Sequence, residues 1–232
     1  MAPVWIPLES NPAVWNKYIA NLGVNTDSWC YSDIWGLDED ILQFVPKPVI
    51  AVLLLFPVTD KYEQYRREEE AKIKKNGQTV SDKIWFTRQT IENACGTIGL
   101  LHSLANNSDV LQVEKDGGLS RILHRTGTKS ADDRAEELEK DQDLAKAHDE
   151  SSREGQSEVP DAEEDVDLHF VCFVKQDECL YELDGRKPFP INHGPCTDLL
   201  KGAATVIRQF MDREPESVNF NMISLGGVPA DD

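Results

Sequence analysis

The chain has 232 residues, 40% hydrophobic and 28% charged, which suits one sizeable core and a single globular domain over residues 1–232. With 42 acidic residues against 24 basic ones and a formal charge of -18, it is poorly suited to holding a nucleic-acid backbone or an anionic membrane surface. The acidity fits attraction of a basic partner and fits solubility alone, and composition accommodates both. The start, Met1-Ala2-Pro3-Val4-Trp5-Ile6-Pro7, has neither the basic flank nor the apolar run of a secretory signal, so a cytoplasmic location is expected, with nuclear entry left open.

The first element expected is a helix. Asn11 stands at the cap, Pro12 at the first helical position, Val14, Tyr18, Ile19 and Leu22 share one face, and Gly23 follows the end. A loop with Trp29 and Trp35 leads to a strand at residues 49–56, apolar on both faces as in a sheet covered on both sides. That run is far shorter than the roughly 20 residues that span a bilayer. Residues 61–75 form a highly charged helix with many charge pairs, stopped by Asn76-Gly77, and need no functional role. From Asn93 an almost uncharged run predicts a buried helix ended by Asn106-Asn107, with Cys95 in its first turn; Gly96 and Gly99 imply close backbone packing or room for a ligand. Ser130-Ala131-Asp132-Asp133 resembles a capping box for a charged helix toward Leu144. Residues 147–166, with the acidic cluster Asp161 to Asp167, read as a long loop, either a binding element or a spacer.

Residues 168–175 and 179–184 suggest a hairpin. With Gln176-Asp177 as a two-residue turn, Lys175 faces Glu178 and His169 stands opposite Asp184, within hydrogen-bonding reach. A helix over about 197–211 and a strand over about 218–225 complete the chain.

Five cysteines, Cys30, Cys95, Cys172, Cys179 and Cys196, are widely spaced without a Cys-x-x-Cys pair, so reduced thiols and no metal are expected. Cys95, at a helix N-terminus, is the candidate nucleophile, since the dipole there favours a thiolate. Gln89, six residues upstream, is a candidate oxyanion donor. Cys172 and Cys179 lie in strand runs facing away from His169 and read as inert buried thiols, and Cys30 and Cys196 as loop residues. Of the histidines, His102 reads as a core residue, His124 and His148 carry no signal, and His193 reads as a turn residue or one that lines a cleft. His169 opens an apolar strand, where an ionisable ring needs a partner, and Asp184 is the available one.

Several motifs in order resemble the ubiquitin C-terminal hydrolase family of cysteine proteases. They are Trp5-Ile6-Pro7-Leu8-Glu9 with Asn11-Pro12, Val52-Leu53-Leu54-Leu55-Phe56-Pro57, residues 89–102, Glu154-Gly155-Gln156, Val166-Asp167-Leu168-His169-Phe170, and the run from Leu180 to Gly194. The resemblance implies an α+β fold in α/β/α layers, with a mostly antiparallel central sheet flanked by helices, a papain-like protease core and a knotted backbone. It implies Cys95 as nucleophile, His169 as general base and acid, Asp184 as its orienting acid, and Gln89 as oxyanion donor, with no cofactor and no metal. The implied reaction releases small adducts or short peptides from the C-terminal glycine of ubiquitin through a thioester. The alternatives are a low-turnover holder of monoubiquitin and a hydrolase directed at Nedd8. Residues 147–166 would form a crossover loop that limits the leaving group. Ubiquitin contacts are implied at Pro7, Leu8, Glu9, Ser10, Asn11 and Pro12, at Ser152, Arg153, Glu154, Gly155, Gln156, Ser157, Glu158 and Val159, and at Ser217, Val218, Asn219, Phe220, Asn221 and Met222. Partners are thus ubiquitin and Nedd8, with no nucleic acid, no membrane and a monomeric chain.

Overall fold

A computed structural model describes residues 4–155 and 167–228. Helix α1, Pro12–Asn21, starts where the side chain of Asn11 accepts from the Ala13 N–H at 3.0 Å, and it buries Val14, Trp15, Tyr18 and Ile19. Strand β1, Trp29–Asp33, replaces the expected loop there. Its partner lies near the far end of the chain, Trp29 pairing with Gly227, so local sequence carries no signal of it. After α2, the single turn Glu39–Leu42, comes β2, Val49–Pro57, buried on both faces as its unbroken apolar run predicts.

Thr59 caps α3, Asp60–Asn76, and Gly77 ends it in the left-handed region at φ +76°. Helix α4, Cys95–Ala105, is the buried helix expected there. Helix α5, Gly118–Thr126, has no counterpart in the sequence reading, although Leu119 and Ile122 make one buried side. The charged helix expected to run toward Leu144 is two helices. Ser130 caps α6, Ala131–Glu139, and Asp141, whose side chain accepts from the Leu144 N–H at 3.0 Å, starts α7, Gln142–Ser152. Helix α7 also overturns the first part of the loop expected over 147–166. The rest of that loop, residues 156–166, lies outside the described residues.

Strands β3, Leu168–Gln176, β4, Cys179–Leu183, and β5, Ile191–Pro195, follow, then α8, Leu199–Arg213, capped by Asp198, and β6, Asn221–Gly227. The sheet order is β1-β6-β2-β3-β4-β5 with every neighbouring pair antiparallel. Alternation along the central strands feeds two cores. Ala51, Leu53, Phe170, Cys172 and Val174 pack with Tyr18 of α1 and Ile98 and Leu101 of α4; Val52, Leu54, Phe56, Val171 and Phe173 pack with Ala203, Ile207 and Phe210 of α8. Each fully buried side chain of this size contributes about 1.5 to 3 kcal/mol, and the result is the expected α/β/α sandwich.

The β3–β4 register differs from expectation by two residues. Gln176 pairs with Cys179 and Cys172 with Leu183, and the turn is Asp177-Glu178, with φ +46° and +59°. Two successive left-handed residues are the mark of a type I′ turn, whose twist matches a two-residue hairpin. His169 is therefore not directly opposite Asp184. A displacement of two keeps the alternation of faces, where a slip of one would reverse it, so both side chains remain on the same side.

Candidate active site

The site lies where α4 begins against the start of β3 and the end of β4. Asn93, at φ +60°, turns the chain into α4, and the Ile91 carbonyl accepts from both the Ala94 N–H, at 3.4 Å, and Gln89 Nε2, at 3.1 Å. Cys95 is the first helical residue, half-buried, with its backbone N–H at the positive end of α4. Gly96 permits close approach of the N-terminal segment: a Cβ there would lie 2.8 Å from Leu8 Cβ. Gly99 likewise faces Leu53, so both glycines serve the close packing expected of them.

His169 is buried and bridges the thiol and the acid. Its Nε2 donates to Asp184 Oδ1 at 2.7 Å, which leaves Nδ1 for the hydrogen bond with Cys95. Burial opposes charge on all three groups, and mutual pairing outweighs it. The Cys95 thiol is held below its ordinary value by the hydrogen bond and charge of His169 and by the backbone of Phe170 and Gly96, against the upward push of burial. Burial alone would lower His169, but the charge and hydrogen bond of Asp184, joined by Cys95, raise it to about 9. Asp184 is likewise held well below the carboxylate range, burial being overcome by His169 and Lys187. Each shift thus favours the charged form, thiolate on Cys95 and imidazolium on His169.

Asp184 is completely buried, and each oxygen has a donor. Oδ1 also accepts from the Arg186 N–H at 2.8 Å, and Oδ2 accepts from the Tyr62 hydroxyl at 2.9 Å. Sequence reasoning missed Tyr62: α3 reads as a solvated charged helix, and nothing in its spacing marks one tyrosine. Gln89 is fixed by its backbone N–H donating to the Gly185 carbonyl at 2.8 Å. A Cβ on Gly185 would stand 2.9 Å from Gln89 Cβ, so the turn after Asp184 and the Gln89 loop touch only because that residue is glycine. Gln89 Nε2 spends one hydrogen on the Ile91 carbonyl, and an amide nitrogen carries a second.

Other expectations fare unevenly. Cys172 faces the core opposite His169, and burial raises its thiol well above the ordinary value. Cys30 sits in β1 and not in a loop, whereas Cys196 lies in the loop between β5 and α8 as expected, buried there with its thiol donating to the Asp198 carbonyl. His148 is not a featureless polar residue. It is buried in α7, with Nδ1 2.8 Å from Thr97 Oγ1, Nε2 2.7 Å from the Ile6 carbonyl, and its ring 4.2 Å from that of Trp5. His193 lies in β5, Nε2 2.9 Å from Glu182 Oε2, within a buried network that includes Lys187 and Glu69.

The three implied contact segments come together. Ser10 donates to Asn221 Oδ1 at 2.6 Å, Lys17 pairs with Glu154, and Gly155 sits so close to Glu9 that a Cβ would collide with its carboxylate. Val218 is an apolar side chain left 90% exposed. Leu8, Ser152 and Met222 are buried, so their side chains face the interior and not a partner: Leu8 seals Gly96, Ser152 caps back to the Asp149 carbonyl, and Met222 joins the core under α8. Gln156, Ser157, Glu158 and Val159 lie outside the described residues.

Known proteins match this arrangement. The family model described as ubiquitin carboxyl-terminal hydrolase, family 1, matches residues 5–212. A probable ubiquitin carboxyl-terminal hydrolase of Dictyostelium discoideum is 46% identical over 227 residues, 97% of this chain and 89% of its own length. The human ubiquitin carboxyl-terminal hydrolase isozyme L1 is 45% identical over 221 residues, 94% of this chain and 96% of its own. In fold the chain resembles the crystal structure of the Trichinella spiralis UCH37 catalytic domain bound to ubiquitin vinyl methyl ester, with a TM-score of 0.75 at 22% identity, covering 97% of this chain and 96% of the other. The chain belongs to the family 1 ubiquitin carboxyl-terminal hydrolases.

Proposed function

We propose that the protein is a deubiquitinating thiol hydrolase that cleaves small adducts or short peptides from the C-terminal glycine of ubiquitin. The observation that carries this reading is the assembled line Cys95, His169, Asp184, with the Gln89 amide beside the turn into Cys95. The Cys95 thiolate attacks the glycine carbonyl, and the new C–S bond pushes the carbonyl electrons onto oxygen. That oxyanion is met by Gln89 Nε2–H and the Cys95 backbone N–H. His169 passes its proton to the leaving amine as the C–N bond breaks. It then takes a proton from water, whose oxygen attacks the thioester, and the C–S bond breaks to restore the thiolate.

The net charge of -18 supports a substrate with a basic C-terminal tail. The adjacency of residues 7–12, 153–155 and 217–221 supports a continuous surface for the rest of ubiquitin. Acceptance of Nedd8, action as a monomer and a cytoplasmic setting belong to the same proposal, a reducing compartment being what a working thiolate requires. The assembled Cys95, His169 and Asp184 line supports turnover over a holding role for free ubiquitin. Hydrolysis of a fluorogenic ubiquitin C-terminal amide tests the proposal: the wild type should turn it over and Cys95→Ala should not. Equal rates would sink it.

A further inference from the structure

We infer that Tyr62 is a positioning residue of the catalytic machinery, its hydroxyl holding the second oxygen of Asp184 so that the first stays aimed at His169. This deepens the hydrolase reading and rests on it for turnover, though one readout below needs no substrate.

Asp184 is fully buried, so each oxygen must find its donors inside the protein. Oδ1 has two, His169 Nε2 and the Arg186 N–H, while the Tyr62 hydroxyl bonds Oδ2. A carboxylate held at Oδ1 alone can turn about its Cβ–Cγ bond; a donor on Oδ2 fixes the plane and with it the line to the imidazole. Tyr62 is itself immobilised. Its backbone N–H is held by Thr59 Oγ1 in the first turn of α3, and its ring stands 4.7 Å from that of Phe56 and 6.0 Å from that of Phe210. Phe56 in turn presents its edge to the His169 ring at 5.8 Å. Helix α3, strand β2 and helix α8 thus converge on one hydroxyl. Burial and the charges of Asp184 and Glu182 raise the Tyr62 hydroxyl well above its ordinary value, so it remains a donor throughout the working range.

The remaining ionisable groups around Asp184 and His169 are Cys95 and His102 from α4, Glu63 and Arg66 from α3, Glu182 at the end of β4, and Arg186 and Lys187 in the turn beyond it. Among the described residues Phe210 is the α8 neighbour, and it carries no charge. Tyr62→Phe removes one oxygen atom and leaves every one of these groups in place.

The test compares wild type, Tyr62→Phe and Phe210→Leu, the last loosening the ring's packing while keeping the hydroxyl. With the fluorogenic ubiquitin amide, Tyr62→Phe should lose about 3- to 10-fold in kcat with KM within about twofold, since only positioning of the acid changes. Without any substrate, the pH dependence of Cys95 alkylation by iodoacetamide should shift its midpoint upward in Tyr62→Phe, because a less well-held imidazolium stabilises the thiolate less. Phe210→Leu should lower the melting temperature without moving that midpoint. An unchanged kcat and midpoint in Tyr62→Phe would overturn the inference, as would equal midpoint shifts in both variants, which would assign the effect to packing. Absence of turnover in the wild type together with a shifted midpoint would count against the hydrolase reading alone.

Discussion

His169 Nε2 lies 2.7 Å from Asp184 Oδ1 although the two residues are not cross-strand partners; Asp184 stands just past Leu183, the last paired residue of β4. The hydrogen bond therefore depends on the turn after β4 and not on the ladder. Asp184→Asn keeps the size of the side chain but removes the charge that holds the imidazolium. Activity on the ubiquitin amide is expected to fall about 10^2- to 10^4-fold, mostly in kcat, while the far-ultraviolet spectrum is unchanged.

The paired Cys95 and His169 set the expected pH dependence. The rate of kcat/KM should rise as Cys95 ionises below the ordinary thiol value and fall as His169 loses its proton near about 9. The sign for stability follows the same shift. His169 is raised above the value of about 6.5 it has in the unfolded chain, so its contribution is complete below that pH and is lost as pH rises through about 9. In Cys95→Ala, where one of the raising partners is gone, His169 should titrate at lower pH than in the wild type, as followed by the imidazole C–H resonances in NMR.

Gly96 and Gly99 separate packing from helix propensity. Replacing either by alanine gains about 1 kcal/mol of helix propensity. At Gly96 the new Cβ meets Leu8 Cβ at 2.8 Å, and overpacking of that kind costs about 1 to 3 kcal/mol; at Gly99 its tightest neighbour is the flexible end of Leu53, Cδ2 at 3.2 Å, with Phe170 Cβ at an ordinary 3.7 Å. Urea unfolding should find Gly96→Ala less stable than wild type and Gly99→Ala close to it. Gly96→Ala should also lose activity, since Leu8 adjoins the nucleophile's helix.

His148 ties α7 to the N-terminal segment as a neutral ring. Burial lowers it to about 4, partly offset by the Ile6 carbonyl. Its unfolded value is higher, so the neutral ring stabilises the fold fully above about 6.5, and that stability is lost as pH falls toward 4. The full loss is on the order of 3 kcal/mol. His102, also lowered to about 4 by burial, adds a similar loss. Equilibrium unfolding at pH 7 and pH 5 should show a clear drop in the wild type and a smaller drop in His148→Gln.

Elements with local punctuation were legible in the sequence. Asn11-Pro12 and Gly77 mark helix ends through cap geometry, and the apolar run at residues 49–57 announces a strand covered on both faces. The β3–β4 register was not, because Asp177 and Glu178 both adopt left-handed backbone without the Asn-Gly or Asp-Gly pair that signals such a turn. Helix α7 was hidden for another reason. His148, Ser151 and Ser152 look polar and loop-like, yet all three are buried, and His148 meets Ile6, Thr97 and Trp5 from elsewhere in the chain.

The candidate catalytic residues were legible before the fold was known. A cysteine at a helix start, an amide six residues before it, and a histidine and an aspartate bounding one hairpin are local facts, governed by short-range periodicity and capping. Which residues hold that chemistry in place was decided only by the tertiary structure. Tyr62 reaches Asp184 across 122 positions, and Ser10 reaches Asn221 across 211. Such partners are chosen by how layers of helix and sheet close over one another, and the energy that selects them, removal of polar groups from water with their hydrogen bonds satisfied, exists only once the chain is folded.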